Sequence, residues 1–330
     1  MANTKLAHEE ELEQILLATN IVSPMSFTFA GRQFSVAEQP ASANSSIVTQ
    51  LQQCLYQYGY SSRFQPGSME YSPNISVAQG DFLSQLSQAN CGSSRWDMGW
   101  QVKRVESSGQ IWAEKAGVCR IFAPGGFANF DAPGSPMAVG ANIGAYVARE
   151  STHVLPGFYA AFGETVSDSD HLDIVRLYWN IHESGVSVLL RAVTRDLNRF
   201  QVPFQFKCPT YLQSYRRRDT AVLYIKKNFF FLIKDLASRW QEECNPYLRD
   251  DVPLFSLRLF LGVGLAEDPG TGESFGMNRC RHVAEAVWNA HTVGLSKEQY
   301  LQTVIQQFQK HRLDFSQPYL NTGSINQYLN

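Results

Sequence analysis

Charge is scarce in this chain, and what there is nearly cancels. Of 330 residues only 18% are Asp, Glu, Lys or Arg, the net charge is −2 and the pI is near 6.4. That balance gives no general attraction to nucleic acid or an anionic membrane, so neither is expected as a partner. Cysteine is sparse and scattered (Cys54, Cys91, Cys119, Cys208, Cys244, Cys280), with no CxxC pair. The spacing argues against a disulfide framework and against a zinc ribbon. Carboxylates paired at metal-ligand spacing are missing too, so no metal and no cofactor is expected. No apolar run reaches membrane-spanning length; Phe229 to Ile233 has lysines close on both sides. The first twenty residues are acidic and lack the basic-then-apolar pattern of a signal peptide, which predicts a cytoplasmic protein. What remains is an apolar share of 44%, ample for a buried core.

The apolar spacing divides the chain into helices and strands. Residues 6–19 and 47–58 carry helical stripes, and 21–36 reads as strands around Gly31-Arg32. Residues 63–75 read as loop and 79–89 as helix. From Trp100 to Phe122 short β segments alternate with turns at Ser107-Gly109 and Ala116-Gly117, a small meander. The Gly/Pro-rich stretch 123–141 reads as a long loop; no GxxxxGK[ST] phosphate loop occurs in it. In the second half, strands are predicted at 173–180, 202–207, 221–225 and 256–260, with helices at 184–200 and 229–243. That alternation is the pattern of a split βαβ arrangement. Residues 262–276 read as loop, 278–291 and 297–309 as helices, and the rest as a loose polar tail. The expectation is a single α+β globular domain with an antiparallel-rich sheet, N-terminal helices and a small meander. Its divisions are 1–140, a core over 141–312 and the tail 313–330.

The most informative stretch runs from Pro203 to Lys227. It sets Lys207 and the run Arg216-Arg217-Arg218 on or beside neighbouring strands. Guanidinium forks match phosphate or carboxylate oxygens, so one reading is a local anion site. The other is a solvated basic edge that keeps a sheet from pairing with another chain. Gly272 to Gly276 fits GxSxG letter by letter, but a nucleophile elbow needs a strand running directly into the serine. The nearest predicted strand ends at Phe260, so a hydrolase is disfavoured.

Four strings occur in register: Arg176-Leu-Tyr-Trp-Asn180; Val202-Pro-Phe-Gln-Phe-Lys207; Tyr215-Arg-Arg-Arg-Asp219 followed by Ala221 to Tyr224; and Gly262 to Pro269 followed by Gly272 to Arg279. Together they resemble the HopA family, named for a type III secretion effector, over about residues 150–295. The resemblance implies two things. The founding member is a secreted effector that perturbs plant immunity. Related domains in lanthipeptide-type gene clusters are assigned as lyases that remove phosphate from phosphoserine or phosphothreonine. The N-terminus has no long Ser-rich disordered leader, which makes the effector role the less attractive one for this chain.

β-Elimination of phosphate needs a base for the α-proton and cations on the departing phosphate. On the matched strings, Lys207 is the expected base, its pKa lowered by nearby arginines. Arg176, Arg217 and Arg279 are the expected phosphate ligands. Asp219 either orients an arginine or caps the turn before its strand. Tyr178 and Tyr224 either donate a proton or pack. Glu267 and Ser274 lie in the predicted loop and are supporting candidates. His171, His182, His282 and His291 fall outside the strings, and none is assigned a role. The expected partners are a phosphorylated peptide or protein and the kinase that makes it. The alternative is a non-catalytic module that holds an anionic or phosphorylated partner.

Overall fold

The computed structural model describes residues 7–36, 43–65, 80–165 and 173–329. Most of the predicted 63–75 loop therefore lies outside the described residues, as does His171. The first elements are α1 (Ala7–Ala18), β1 (Thr19–Ser23), β2 (Ser26–Phe29), β3 (Arg32–Ser35), α2 (Ala43–Leu55) and α3 (Gly80–Ala89). Next come β4 (Arg95–Val105), β5 (Ile111–Lys115), β6 (Val118–Phe122), β7 (Phe127–Ala128), β8 (Asn142–Val147), β9 (Glu150–Ser151) and β10 (Phe158–Phe162). The second half holds β11 (Ile174–Trp179), α4 (Val186–Arg199), β12 (Gln205–Pro209), β13 (Ala221–Lys226), α5 (Phe230–Cys244), β14 (Leu257–Phe260), β15 (Val263–Glu267), α6 (Phe275–Thr292) and α7 (Tyr300–Lys310). The fold is α+β with antiparallel sheets, as the apolar patterns predict. No helix among the described residues is long and apolar enough to cross a membrane.

The chain forms two compact units, each from discontinuous segments. One takes residues 1–77, 172–186 and 211–330; the other takes 78–171 and 187–210. Neither boundary falls at 140 or 312.

In the first unit, β1, β2 and β3 make a small antiparallel sheet, and β14-β15-β11-β13 lie side by side, every pair antiparallel. β13 and β15 therefore run in the same direction with β11 between them. The chain passes from β13 through α5 to β15, which makes the split βαβ unit; β14 is a hairpin addition at its edge. The region 262–276, predicted as loop, thus contains the fully buried strand β15. On one face Val175, Leu177 and Trp179 align with Ile225, Leu223 and Ala221. Trp179 meets Trp240 of α5 there, with ring centroids 6.3 Å apart. The opposite face carries Arg176 beside Tyr224 and Ala266, and Tyr178 beside Val222 and Gly264.

The chain beyond α7 is packed, contrary to the loose tail its polarity predicts. Leu313, Phe315, Tyr319, Leu320 and Tyr328 are all buried. The Tyr319 carbonyl accepts from the Glu267 amide at 2.9 Å, and Tyr328 meets Phe230 edge-on at 4.7 Å. Apolar residues spaced too irregularly for a helix or strand still supply enough area to anchor a segment.

In the second unit the meander closes a five-stranded sheet of order β6-β5-β4-β8-β7. One face buries Trp100, Val102, Ile111, Ala113, Ile143 and Ala145; Trp96, Trp112 and Tyr146 remain exposed. The same unit holds the antiparallel run β12-β10-β9 and the helix α4, whose stripe Leu189, Leu190, Val193 and Leu197 is buried.

Candidate functional site

The site is built on the β11 face opposite α5. Strand alternation places Arg176 and Tyr178 on that face together with Tyr224 of β13. Arg176 is nearly buried; its Nε donates to Asp268 Oδ2 at 2.7 Å, and Nη2 makes a very short bond to the same oxygen. Its guanidinium carbon lies 5.0 Å from the centre of the Tyr224 ring. Burial opposes its charge, but Tyr178, Tyr224 and Asp268 outweigh that and hold it firmly protonated.

Arg217 repeats this construction from a different segment. It follows a 3-10 turn (Leu212–Arg216) and leads into β13. Nε and Nη2 donate to the two oxygens of Asp219 at 2.7 and 2.8 Å, a bidentate fork. Nη2 also bonds the Tyr56 hydroxyl at 2.8 Å, and the guanidinium lies 5.4 Å from the Tyr56 ring centre. Burial pushes the Tyr56 phenol up to about 12 despite the cation beside it.

Tyr56 and its neighbour Tyr60 come from a π turn, Tyr56–Tyr60, that extends α2. The wider turn sets their rings 5.3 Å apart and nearly parallel. Tyr60 is seated because residue 276 is glycine: a Cβ there would meet the Tyr60 ring at 2.4 Å. Tyr60 and Tyr178 are electrostatic neighbours of each other and of Asp219, and Tyr178 is also a neighbour of Arg176. Burial pushes both phenols well above their ordinary range, so both stay protonated. The two hydroxyls are turned to each other, and neither finds a partner elsewhere among the described residues. They are two buried phenols, satisfied at best by each other, beside two arginine–aspartate–tyrosine assemblies.

The remaining sequence candidates divide differently. Arg279, on α6, donates from Nε and Nη2 to the Pro318 and Leu320 carbonyls, each at 2.8 Å, and lies over the Phe275 ring. Burial pulls its pKa down to about 10, with Tyr178 and Glu267 as nearby counterweights. It clamps the C-terminal segment while standing next to Tyr178. Glu267 aligns with Val175 and so belongs to the α5 side of the sheet, away from Arg176. It is fully buried and takes Lys227 Nζ at 2.5 Å, Ser324 at 2.5 Å, the Asn321 amide at 2.8 Å and the Tyr328 hydroxyl at 2.8 Å. Ser274 caps α6, accepting from the Met277 amide at 3.3 Å. That geometry fits a helix start and not a nucleophile elbow, even though β15 lies nearer than the predicted strand end.

Lys207 lies on β12, in the other unit, opposite Ala160, with Nζ 5.0 Å from the Phe158 ring centre. The run 216–218 does not form one basic patch. Arg216 is exposed, Arg217 turns to Asp219, and Arg218 is buried and paired with Glu11 at 2.7 Å. Sequence reading missed Asp268, although it falls inside a matched string, and missed Tyr56 and Tyr60, which lie outside every string.

No curated protein matches the chain. Solved structures similar to it include two effector proteins. One is the effector protein from Pseudomonas syringae pv. tomato strain DC3000, at 14% identity and TM-score 0.49, covering 87% of this chain and 92% of that one. The other is the effector protein from Pseudomonas syringae pv. syringae strain 61, at 12% identity and TM-score 0.42, covering 84% and 97%. Residues 149–320, more than half of the chain, match the HopA1 effector protein family, and the chain belongs to that family.

Proposed function

We propose that this effector-family chain is a lyase that removes phosphate from a phosphoserine or phosphothreonine in a peptide or protein. The observation that carries the reading is the pair of buried phenols, Tyr60 and Tyr178, which have no partner but each other, beside Arg176 and Arg217. A phosphate group offers what these donors lack: acceptor oxygens, with negative charge for the guanidinium groups. Each of the two arginines keeps Nη1 outside its aspartate fork. In the reaction a base takes the α-proton and its electron pair forms the Cα=Cβ bond. The Cβ–O bond breaks, and phosphate leaves with that bond's own electron pair. Tyr178, held protonated by burial, donates a hydrogen bond to the departing oxygen. The substrate must come from a kinase acting on Ser or Thr.

The test is mass spectrometry of a phosphopeptide library incubated with the full chain. Elimination leaves a dehydroamino acid, one water lighter than the product of hydrolysis; a hydrolysed product overturns the reading. Tyr178→Phe should keep the fold, since its hydroxyl reaches no group but the Tyr60 hydroxyl, and cut elimination by about 10²–10⁴-fold. Arg217→Ala should weaken phosphopeptide binding by about 1.5–3 kcal/mol. Lys207→Arg tests whether Lys207 is the base, because arginine keeps the charge but has almost no neutral form at neutral pH.

One observation favours a second reading, a module that holds a phosphorylated partner without turnover. Arg176 and Arg217 are already neutralised by Asp268 and Asp219, and Arg279 is committed to backbone carbonyls. Phosphopeptide binding with no mass change would select it.

A further inference from the structure

Away from the arginines, α6 and the end of α7 bring together three metal-ligating side chains that the sequence pattern did not group. His282 Nδ1, a carboxylate oxygen of Glu285 and His311 Nε2 lie within 4.8 Å of one another. His282 and Glu285 are three apart on α6 and so share a face, while His311 caps the C-terminus of α7. Glu285 Oε2 is 3.7 Å from His282 Nδ1 and 3.8 Å from His311 Nε2, and the two imidazole rings are 4.3 Å apart.

Two further features point to a ligand. His282 is only 3% exposed, yet its Nδ1 is a buried polar atom with no hydrogen-bond partner among the described residues. Buried nitrogens are rarely left so. The carboxylate is also held by outer contacts: Arg281 Nη1 donates to Glu285 Oε1 at 3.0 Å, and Gln307 Nε2 donates to Oε2 at 2.7 Å. Oε2 faces both imidazoles, and Gln307 Nε2 also lies 3.3 Å from His311 Nε2, a contact that a bound ion would replace while Arg281 keeps the carboxylate oriented.

We propose that His282, Glu285 and His311 bind one divalent transition-metal ion of the zinc type. Two imidazoles and one carboxylate suit zinc better than magnesium or calcium, which take all-oxygen shells. Tetrahedral zinc sets its ligand atoms roughly 3.4 Å apart, so the measured spacings close with sub-ångström side-chain shifts. His311 is partly exposed, which leaves a fourth position open to water. The ion would clip α6 to the end of α7. There the chain turns at Arg312 in the left-handed region and goes on to bring Pro318 and Leu320 to Arg279. The site stands independently of the lyase reading.

The full chain, stripped with a chelator, is titrated with Zn²⁺ against a chromophoric chelator, with Mg²⁺ and Ca²⁺ as comparators and melting temperature as a second readout. One tight equivalent of Zn²⁺ with a raised melting temperature is expected, and neither effect from Mg²⁺ or Ca²⁺. His311→Asn changes a partly exposed residue, so it should fold as the parent does and lose both effects; Glu285→Gln should do the same. Arg281→Gln should weaken Zn²⁺ binding by about 10–100-fold. Three results overturn the proposal. The parent binds no stoichiometric zinc; the equivalent survives in His311→Asn; or it disappears only when the exposed Cys91 and Cys119 become serine.

Discussion

The two units treat charge in opposite ways. In the first unit, charges sit inside the sheet and the helices that cover it: Glu267 is wholly enclosed, Arg279 is 1% exposed and Arg176 9%. Each is matched there by a defined set of partners. In the five-stranded sheet of the second unit most charges lie at the surface, as in the cross-strand pair Lys103–Glu114, where both side chains are 43% exposed; Asp97, at 9%, is the exception. Removing a buried partner strands the remaining charge in a poorly polarisable interior, whereas water replaces a lost surface partner. Equal numbers of ion pairs therefore carry very different weight in the two units.

The largest effect is expected from Glu267→Ala. It leaves Lys227, Ser324, Tyr328 and the Asn321 amide without their acceptor, and should cost about 3–5 kcal/mol in denaturant unfolding. A loss under about 1 kcal/mol would mean that water already reaches the carboxylate. Arg279→Met keeps the length of the side chain and removes its donors to Pro318 and Leu320. We expect a loss of about 1–3 kcal/mol, with faster proteolysis of the segment after residue 312.

Asp97 tests the second unit. Burial pushes its carboxyl up, but bonds from Lys115 Nζ at 2.7 Å and Trp100 Nε1 at 2.8 Å outweigh this and hold it below the usual range. A carboxyl lowered in the folded state adds stability above its unfolded pKa of about 3.9, and that stability is lost as pH falls through the folded pKa. The parent should therefore exceed Asp97→Asn in stability at pH 7, with the gap closing below about pH 4. The smallest effect belongs to Glu114→Gln, which breaks only an exposed pair and should change stability by about 0.2–1 kcal/mol. A larger loss there would erase the contrast between the units.

The stripes of α4 and α5 are legible in the sequence because polar residues mark the outside. The strands β11 and β13 are buried on both faces and are legible instead by their β-branched and aromatic content. β15 hid because Val263-Gly-Leu-Ala-Glu267 is buried along its whole length and carries glycine and alanine in place of β-branched residues. Glu267 read as a loop residue for the same reason: nothing in five letters shows that its partners arrive from residues 321–328. The family strings marked Arg176, Arg217 and Arg279, but the partners that define each role were less visible. Tyr56 and Tyr60 depend on a π turn, which has no apolar period, and the destination of Arg279 depends on the packed tail. His282 was passed over because its companions come from two helices and join only when those helices pack.

The buried Glu267 also orders events in time. Its partners from the C-terminal segment stand 54 to 61 positions further along the chain. A ribosome delivers β15 and its counter-cation Lys227 well before the neutral donors that complete the carboxylate's shell. Until those donors emerge, the strand that completes the split βαβ unit carries an ion pair whose remaining lone pairs must be met by water. The last hydrogen bonds of the first unit therefore wait for the end of synthesis.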